Sequence, residues 1–150
     1  MKQSLFDPAV SATMIARIEA LTPTSPALWG RMNVAQMLAH CDVPMQVAHG
    51  DLKIKRGLIG FLFGKMVLRQ YLSDAPLSHN SPTFKEAIIP SDVSFEVSRA
   101  KLIARVERFQ KDGPDGIVKD PHPFFGKMTT DQWAILQVKH LDHHLQQFGV

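Results

Sequence analysis

Apolar residues recur every three or four positions through the first part of this chain, which is the spacing of one buried face of an α-helix. Asp7 stands directly before Pro8, an arrangement typical of a helix N-cap followed by proline at the first helical position. The apolar stripe that follows comprises Val10, Met14, Ile18 and Leu21. Proline, serine and threonine fill positions 22–26 and end the pattern. The sequence therefore predicts a first helix that begins at Pro8.

Two later segments begin with a capping-box pattern, in which an N-cap side chain and a glutamine three positions on bond each other's backbone N–H groups. The pairs are Asn33 with Gln36, and Thr129 with Gln132. Two more helices are predicted, within 57–71 and over about 92–110. Residues 72–92 are rich in Ser, Pro and Asn and are expected to form a long connection. Because no segment has the pattern of a strand, we expect an all-α bundle with a long crossover.

The composition limits the class of protein. With 150 residues, 45% of them hydrophobic, residues 1–150 are expected to form one globular domain. The net charge of +3 is mild and the basic residues are spread along the chain, so we expect no nucleic-acid partner. Cys41 is the single cysteine, which excludes an internal disulfide and fits a reducing, cytoplasmic location. No signal peptide and no apolar stretch long enough to span a bilayer is visible.

The last predicted helix, which runs to about residue 147, carries a histidine pair. His140 and His144 stand four positions apart, so both side chains leave one helix face with Cβ atoms about 5–6 Å apart. This spacing allows two imidazoles to bind one metal ion. The pair lies beside an apolar stripe that comprises Ala134, Val138, Leu141, Leu145 and Phe148. His143 falls on the far side, where we expect solvent, and Gln147 lies where a hydrogen-bonding partner of a ligand would.

His40, in the second predicted helix, is a candidate third ligand. Three protein ligands and an open position are typical of a catalytic metal site, whereas structural zinc sites usually have four. Two alternatives stay open from spacing alone: the pair on the last helix could hydrogen-bond across the bundle, and His40 could be a satisfied interior histidine. The neighbouring Cys41 points towards the apolar stripe of its helix and is interpreted as a core residue.

Three segments together resemble one known superfamily. The segment from Trp29 to Cys41 is similar to the second-helix motif of the DinB/YfiT-like superfamily, in which a tryptophan precedes a helix with a metal-binding histidine. The segment 140–148 resembles the C-terminal HxxxH motif of that superfamily, with its trailing glutamine. The segment 122–126, His-Pro-Phe-Phe-Gly, resembles a subgroup known only as a domain of unknown function. The resemblance covers nearly the whole chain in order and spacing.

The resemblance implies a four-helix bundle, often a homodimer, that holds a divalent metal ion, commonly zinc or nickel, with three histidines. Carried over to the matching positions, these are His40, His140 and His144. Characterised members include metal-dependent thiol S-transferases and a mycothiol-dependent maleylpyruvate isomerase, whereas the subgroup has no known activity. We expect a metal-dependent protein that acts on a small molecule, as a transferase of a low-molecular-weight thiol or as a hydrolase. A non-catalytic metal-binding or stress-associated module is the alternative.

One segment has the composition of a membrane-surface helix. Basic residues at 53, 55, 56, 65 and 69 flank an apolar run within 58–68. Glycines at 57, 60 and 64 weaken a helix here, and packing in a bundle or a dimer explains the apolar residues as well. We therefore expect no membrane partner. His122, in its proline-flanked loop, could reach the metal site, but a structural role in the loop is favoured.

Overall fold

The computed structural model describes residues 3–79 and 81–150. Its α-helices are α1 (Pro8–Glu19), α2 (Val34–His49), α3 (Leu58–Tyr71), α4 (Phe95–Asp112) and α5 (Thr130–Gln147). Two short 3₁₀ helices, Lys85–Ala87 and Gly113–Gly116, lie in the connections. The described residues contain no β-strand, only an isolated antiparallel bridge between His122 and Gly126. The prediction of an all-α protein is confirmed.

Side-chain caps start the helices close to the predicted positions. The Asp7 carboxylate accepts a hydrogen bond from the first turn of α1 at 2.9 Å. Asn33 and Gln36 form the predicted capping box of α2, with N···O distances of 2.8 and 2.9 Å, and α5 begins with the second box. These bonds satisfy backbone N–H groups that have no partner within the helix. α4 begins slightly later than predicted, at Phe95, because Ser94 provides its cap.

Four of the helices enclose the main core. α2 packs against α4 and α5, and α1 packs against the same two helices. The largest fully buried apolar side chains are Trp133, Phe109, Leu5, Ile18, Leu21, Met37, Leu38, Met45, Leu102, Leu141 and Leu145. Burial of each large apolar side chain stabilises the fold by about 1.5–3 kcal/mol. This packing holds α2 against α5, and these two helices carry the candidate ligands.

α3 lies beside this core and packs against the loop that contains Phe124. A Cβ atom at Gly60 or Gly64 would come within 2.8 or 2.0 Å of the Phe124 backbone. Both positions therefore require glycine, because only glycine lets the two backbones approach so closely. Next to this contact, Leu68 of α3 packs with Phe125 and Leu136 in a small second apolar cluster. In the described part of the chain, no helix is both long enough and apolar enough to cross a membrane.

His122 organises the loop that receives α3. Its ring is buried, and Nδ1 accepts hydrogen bonds from the backbone N–H groups of Phe124 and Phe125 at 3.0 and 3.1 Å. The ring also lies against Trp133, with 4.8 Å between centroids. Burial lowers the pKa of His122 to about 3, so the ring is neutral at pH 7 and its lone pair is free to accept these bonds. The contacts support the structural role favoured from the sequence.

Candidate metal centre

The three candidate ligands come from two helices that pack together. His40 lies in the second turn of α2, and His140 and His144 occupy successive turns of α5. One ring nitrogen from each histidine lies within 4.8 Å of the other two. Helical spacing brings His140 and His144 together, and the contact of α2 with α5 adds His40 from 100 positions away in the sequence. The structure thus brings together the three residues proposed from the sequence.

A hydrogen bond on the far side of the ring orients His40. Its Nδ1 donates to the backbone carbonyl of Ala87 at 2.9 Å. Because a carbonyl oxygen can only accept, Nδ1 carries the proton, and Nε2 of the neutral ring keeps its lone pair. Nε2 lies 3.2 Å from Nε2 of His140. Ala87 belongs to the 3₁₀ helix in the long connection, and no pattern in the sequence pairs it with His40.

A chain of two hydrogen bonds orients His144. Its Nδ1 donates to Oε1 of Gln147 at 2.8 Å, and Nε2 of Gln147 donates to the backbone carbonyl of Trp29 at 2.7 Å. Because the Trp29 carbonyl can only accept a hydrogen bond, the NH₂ group of Gln147 must point to it, and the Gln147 oxygen then faces His144. His144 therefore also presents Nε2 as its unprotonated nitrogen. Gln147 has the partner role that its position on the helix predicted.

The protonation pattern of the cluster fits a cation. Nε2 of His140 faces His40, while Nδ1 of His140 is buried and has no hydrogen-bond partner within the described residues. If Nε2 of His140 carries a proton, it can donate a hydrogen bond to Nε2 of His40 or to Nε2 of His144, but not to both. A divalent ion accepts lone pairs from all three rings together, and imidazole is a favourable donor for zinc and for nickel. The residues present therefore fit a divalent metal ion.

Burial keeps the three rings neutral at pH 7. Desolvation lowers the pKa of His40, and it lowers the pKa of His144 to about 4. The pKa of His140 lies well below its usual range, because of desolvation first and of the neighbouring imidazoles second. Since metal ions bind the neutral ring, protons compete only weakly for these ligands near pH 7.

A cavity of about 750 Å³ opens onto the histidine cluster, within the size range of small-molecule pockets. Its other walls come from the segment before α2 and from the long connection between α3 and α4. Aromatic and aliphatic side chains that line the cavity include Trp29, Tyr71, Leu77 and Ile88. Arg31 brings a positive charge to the exposed rim, and the described lining residues include no Asp or Glu.

His143 lines this cavity and does not face open solvent, so the expectation from the sequence was wrong. The residue is half-buried, and its ring centroid lies 5.7 Å from that of Trp29 and 5.8 Å from that of His79. His79 in turn stacks on Trp29 at 4.1 Å. The helical pattern correctly placed His143 away from the core stripe. It could not show that segments distant in the sequence cover this side of α5.

Two residues of metal-binding type, Cys41 and Asp142, lie within two positions of a candidate ligand in the sequence but outside the cluster. Cys41 is fully buried, and burial raises the pKa of its thiol, as suits the predicted core residue. Asp142 forms an ion pair with Arg17 at 2.7 Å. Among residues 3–79 and 81–150, no fourth His, Cys, Asp or Glu joins the three histidines.

The comparisons with known proteins give a family without an assigned activity. Neither a curated protein nor a solved structure matched the chain. The family model described as a protein of unknown function, DUF1569, matches residues 4–149, nearly the whole sequence. The chain therefore belongs to the DUF1569 family.

Proposed function

We propose that this protein is a metal-dependent enzyme of the DinB/YfiT-like type, with zinc or nickel held by His40, His140 and His144. The observation that carries the proposal is the convergence of three neutral imidazoles on one centre. Two of them are oriented by a hydrogen bond from Nδ1, as metal-binding histidines usually are. Lone pairs that face one another repel unless a cation or a proton lies between them, so the cluster is suited to a positive charge.

The open side of the cluster favours a catalytic role over a structural one. Structural zinc sites are usually closed by four protein ligands, whereas catalytic sites keep a position for water or substrate. Here the described residues supply three donors, and all three histidines line the cavity of about 750 Å³. A small molecule in this cavity therefore lies next to the metal-binding nitrogens.

The cavity wall suits a small reactant with an anionic or polarisable group. A divalent ion in this site supplies Lewis-acid polarisation and lowers the pKa of a thiol or water that joins it. Arg31 provides positive charge at the rim, and the aromatic and aliphatic side chains of the wall provide apolar contact surface for the reactant. With no carboxylate on the described wall, His143, kept neutral by burial, is the proton acceptor best placed. This set suits transfer of a low-molecular-weight thiol to an electrophile, or hydrolysis.

The proposal extends to the architecture. We assign α1, α2, α4 and α5 to the four-helix bundle of the DinB/YfiT-like superfamily, with the segment between α2 and α4, which includes α3, as its long crossover. The mutual packing of α1 and α2 with α4 and α5 supports this assignment. Homodimer formation belongs to the same proposal, as does a cytoplasmic location, which the unpaired Cys41 suits.

Elemental analysis of purified, untagged protein tests the metal site directly. Wild type should carry near-stoichiometric metal, and the His140→Ala/His144→Ala variant should carry none. His143→Ala is the matched control, because it removes an imidazole from the same helix and cavity but not from the ligand set, and it should keep the metal. Metal-free wild type that also fails to bind zinc and nickel on titration would overturn the proposal.

Catalysis needs its own test. Metal-loaded protein is assayed with glutathione or bacillithiol and generic electrophiles, and in parallel with small ester and amide substrates. Turnover that disappears in His40→Ala, with circular dichroism unchanged, would support the enzyme. Stoichiometric metal without turnover above that variant would instead favour the non-catalytic metal-binding module.

A further inference from the structure

The outer face of α3 carries most of the large apolar side chains that the described residues leave exposed. Six large side chains there are between 50% and 75% exposed: Leu58, Ile59, Phe61, Leu62, Phe63 and Met66. We call this set the α3 outer face. Contiguous apolar surface of this kind is uncommon on a monomer and usually marks a binding surface.

The glycines of α3 explain why this face points outward. Gly60 and Gly64 hold the opposite side of the helix against the Phe124 backbone, too closely for any larger residue. The helix therefore cannot rotate to bury the α3 outer face without breaking this contact. Gly60 and Gly64, which disfavour an interfacial helix by propensity, here fix the orientation of α3, so their presence does not count against binding to a membrane surface.

Positive charge surrounds the α3 outer face. Five exposed basic side chains lie in and just before the helix: Lys53, Lys55, Arg56, Lys65 and Arg69. The sequence contains no Asp or Glu from position 52 to position 73. In the described structure these cations form no salt bridge, and Arg56 lies over the ring of Phe61 at 5.3 Å. The occupant of this surface must therefore be apolar and negatively charged.

A second copy of the chain does not meet that requirement. A symmetric dimer places the same patch on both subunits, so these cations would meet the same cations. No carboxylate within 52–73 is available to balance them. An anionic bilayer has the complementary sign, and long Lys and Arg side chains reach the headgroups while apolar residues enter the interface.

We propose that the α3 outer face docks this protein on anionic lipid bilayers, with the helix lying in the plane of the interface. α3 is too short and too interrupted to cross a bilayer, so the association is peripheral and reversible. The proposal does not depend on the metal centre.

Vesicle flotation of the full chain tests the proposal, because aggregated protein stays at the bottom of the gradient. The protein should float with vesicles of phosphatidylcholine and phosphatidylglycerol at low salt and not with phosphatidylcholine alone. High salt should release most of it. Absence of flotation with the anionic vesicles at low salt would overturn the proposal.

Two variants identify the surface. Lys65→Gln/Arg69→Gln should lower partitioning roughly twenty-five-fold, since each cation near an anionic surface contributes about fivefold. Leu58→Gln/Leu62→Gln should lower it by about tenfold or more. All four side chains are exposed, so the fold should persist. Equal flotation of wild type and both variants would place the binding elsewhere and refute the proposal.

Matched controls come from the exposed side of α4. Lys101→Gln/Lys111→Gln removes the same charge, and Val97→Gln removes an exposed apolar side chain. These variants should float like wild type. If they lost as much partitioning as the α3 variants, the effect would be one of net charge or general hydrophobicity, which would contradict a specific docking face.

A fluorescent label separates lipid from a second copy. Leu62→Cys provides a reactive thiol, while buried Cys41, its thiol pKa raised, stays unmodified. The emission of an environment-sensitive dye at this position should be that of a water-exposed dye in buffer. It should become that of a dye in an apolar environment only when anionic vesicles are present. The proposal would be overturned if the dye were already shielded in buffer, the protein sedimented as a dimer, and Leu58→Gln/Leu62→Gln made it monomeric. These results together would show that a second copy covers this face.

Discussion

Gln147→Met should weaken metal binding while leaving all three histidines in place. Gln147 is buried, and its amide joins Nδ1 of His144 to the carbonyl of Trp29 through bonds of 2.8 and 2.7 Å. Methionine has a similar length and fills the same space without making either bond. The substitution thus removes the orientation of one ligand and creates little cavity.

The expected magnitude follows from the two lost bonds. Removal of a partner behind a metal-binding histidine typically costs 10–100-fold in affinity, or about 1.4–2.8 kcal/mol. The unpaired groups on His144 and Trp29 each cost about 1–3 kcal/mol of folding stability as well. The affinity for zinc should therefore fall by at least about tenfold, and the metal-free protein should unfold at a lower urea concentration.

Competition with a chromophoric zinc chelator measures the affinity, and circular dichroism checks the fold. Gln146→Met is the matched control, because Gln146 is the exposed neighbour on the same helix and its side chain bonds Asp142 rather than a ligand. This control should bind zinc within about twofold of wild type, a difference below about 0.5 kcal/mol.

Two results would refute the reasoning. Wild-type affinity in Gln147→Met would show that the bond to Nδ1 of His144 does not orient the ligand. An equal loss of affinity in Gln146→Met would show that general weakening of α5, rather than the lost bond, controls the site.

Three other predictions rest on separate contacts. Gly64→Ala should destabilise the protein in urea unfolding, although alanine favours a helix by about 1 kcal/mol, because its Cβ would lie 2.0 Å from the Phe124 carbonyl oxygen; Gly57→Ala, with no atom within 4 Å, is the control. His122 has a pKa of about 3 in the folded chain and about 6.5 in the unfolded chain. Between these values only the unfolded chain binds a proton at His122, so the free energy of unfolding falls as the pH drops. This residue should contribute about 2 kcal/mol to the loss at pH 5, and His122→Gln should remove that part of the pH dependence of urea unfolding. Asp42→Ala should cost about 1–3 kcal/mol in the same assay, since it removes a charged hydrogen bond of 2.8 Å to Arg105, which keeps Asp51 as a partner; an unchanged midpoint would contradict this.

The residues that could be read from the sequence are those whose partners are near in the chain. The caps at Asp7, Asn33 and Thr129 act within one helical turn, so their patterns locate helix starts to within a residue. The same holds for His140 and His144, which helical spacing alone places together. Gln147 could be assigned as a partner of His144 because it lies one turn away.

The sequence does not predict contacts whose partner is distant in the chain. A helical pattern separates the core face of α5 from its other faces but cannot show which loop covers them, so it wrongly predicts that His143 faces solvent. The Ala87 carbonyl that fixes His40 is a backbone atom in an irregular segment, which leaves no side-chain signal. The close contact of Gly60 and Gly64 with Phe124 leaves no local sequence signal either, and the helical pattern shows these glycines only as weak helix formers.

The sequence by itself therefore determined the all-α class, the helix starts and the histidine pair of α5, because each depends on periodicity and hydrogen bonds within a few residues. The tertiary structure alone decided three things. It brought His40 to that pair. It set the tautomer of His40 through Ala87 and that of His144 through Gln147 and Trp29. It also turned an apolar face of α3 outward. Each of these results from packing between segments far apart in the chain, whose relative positions no local pattern encodes.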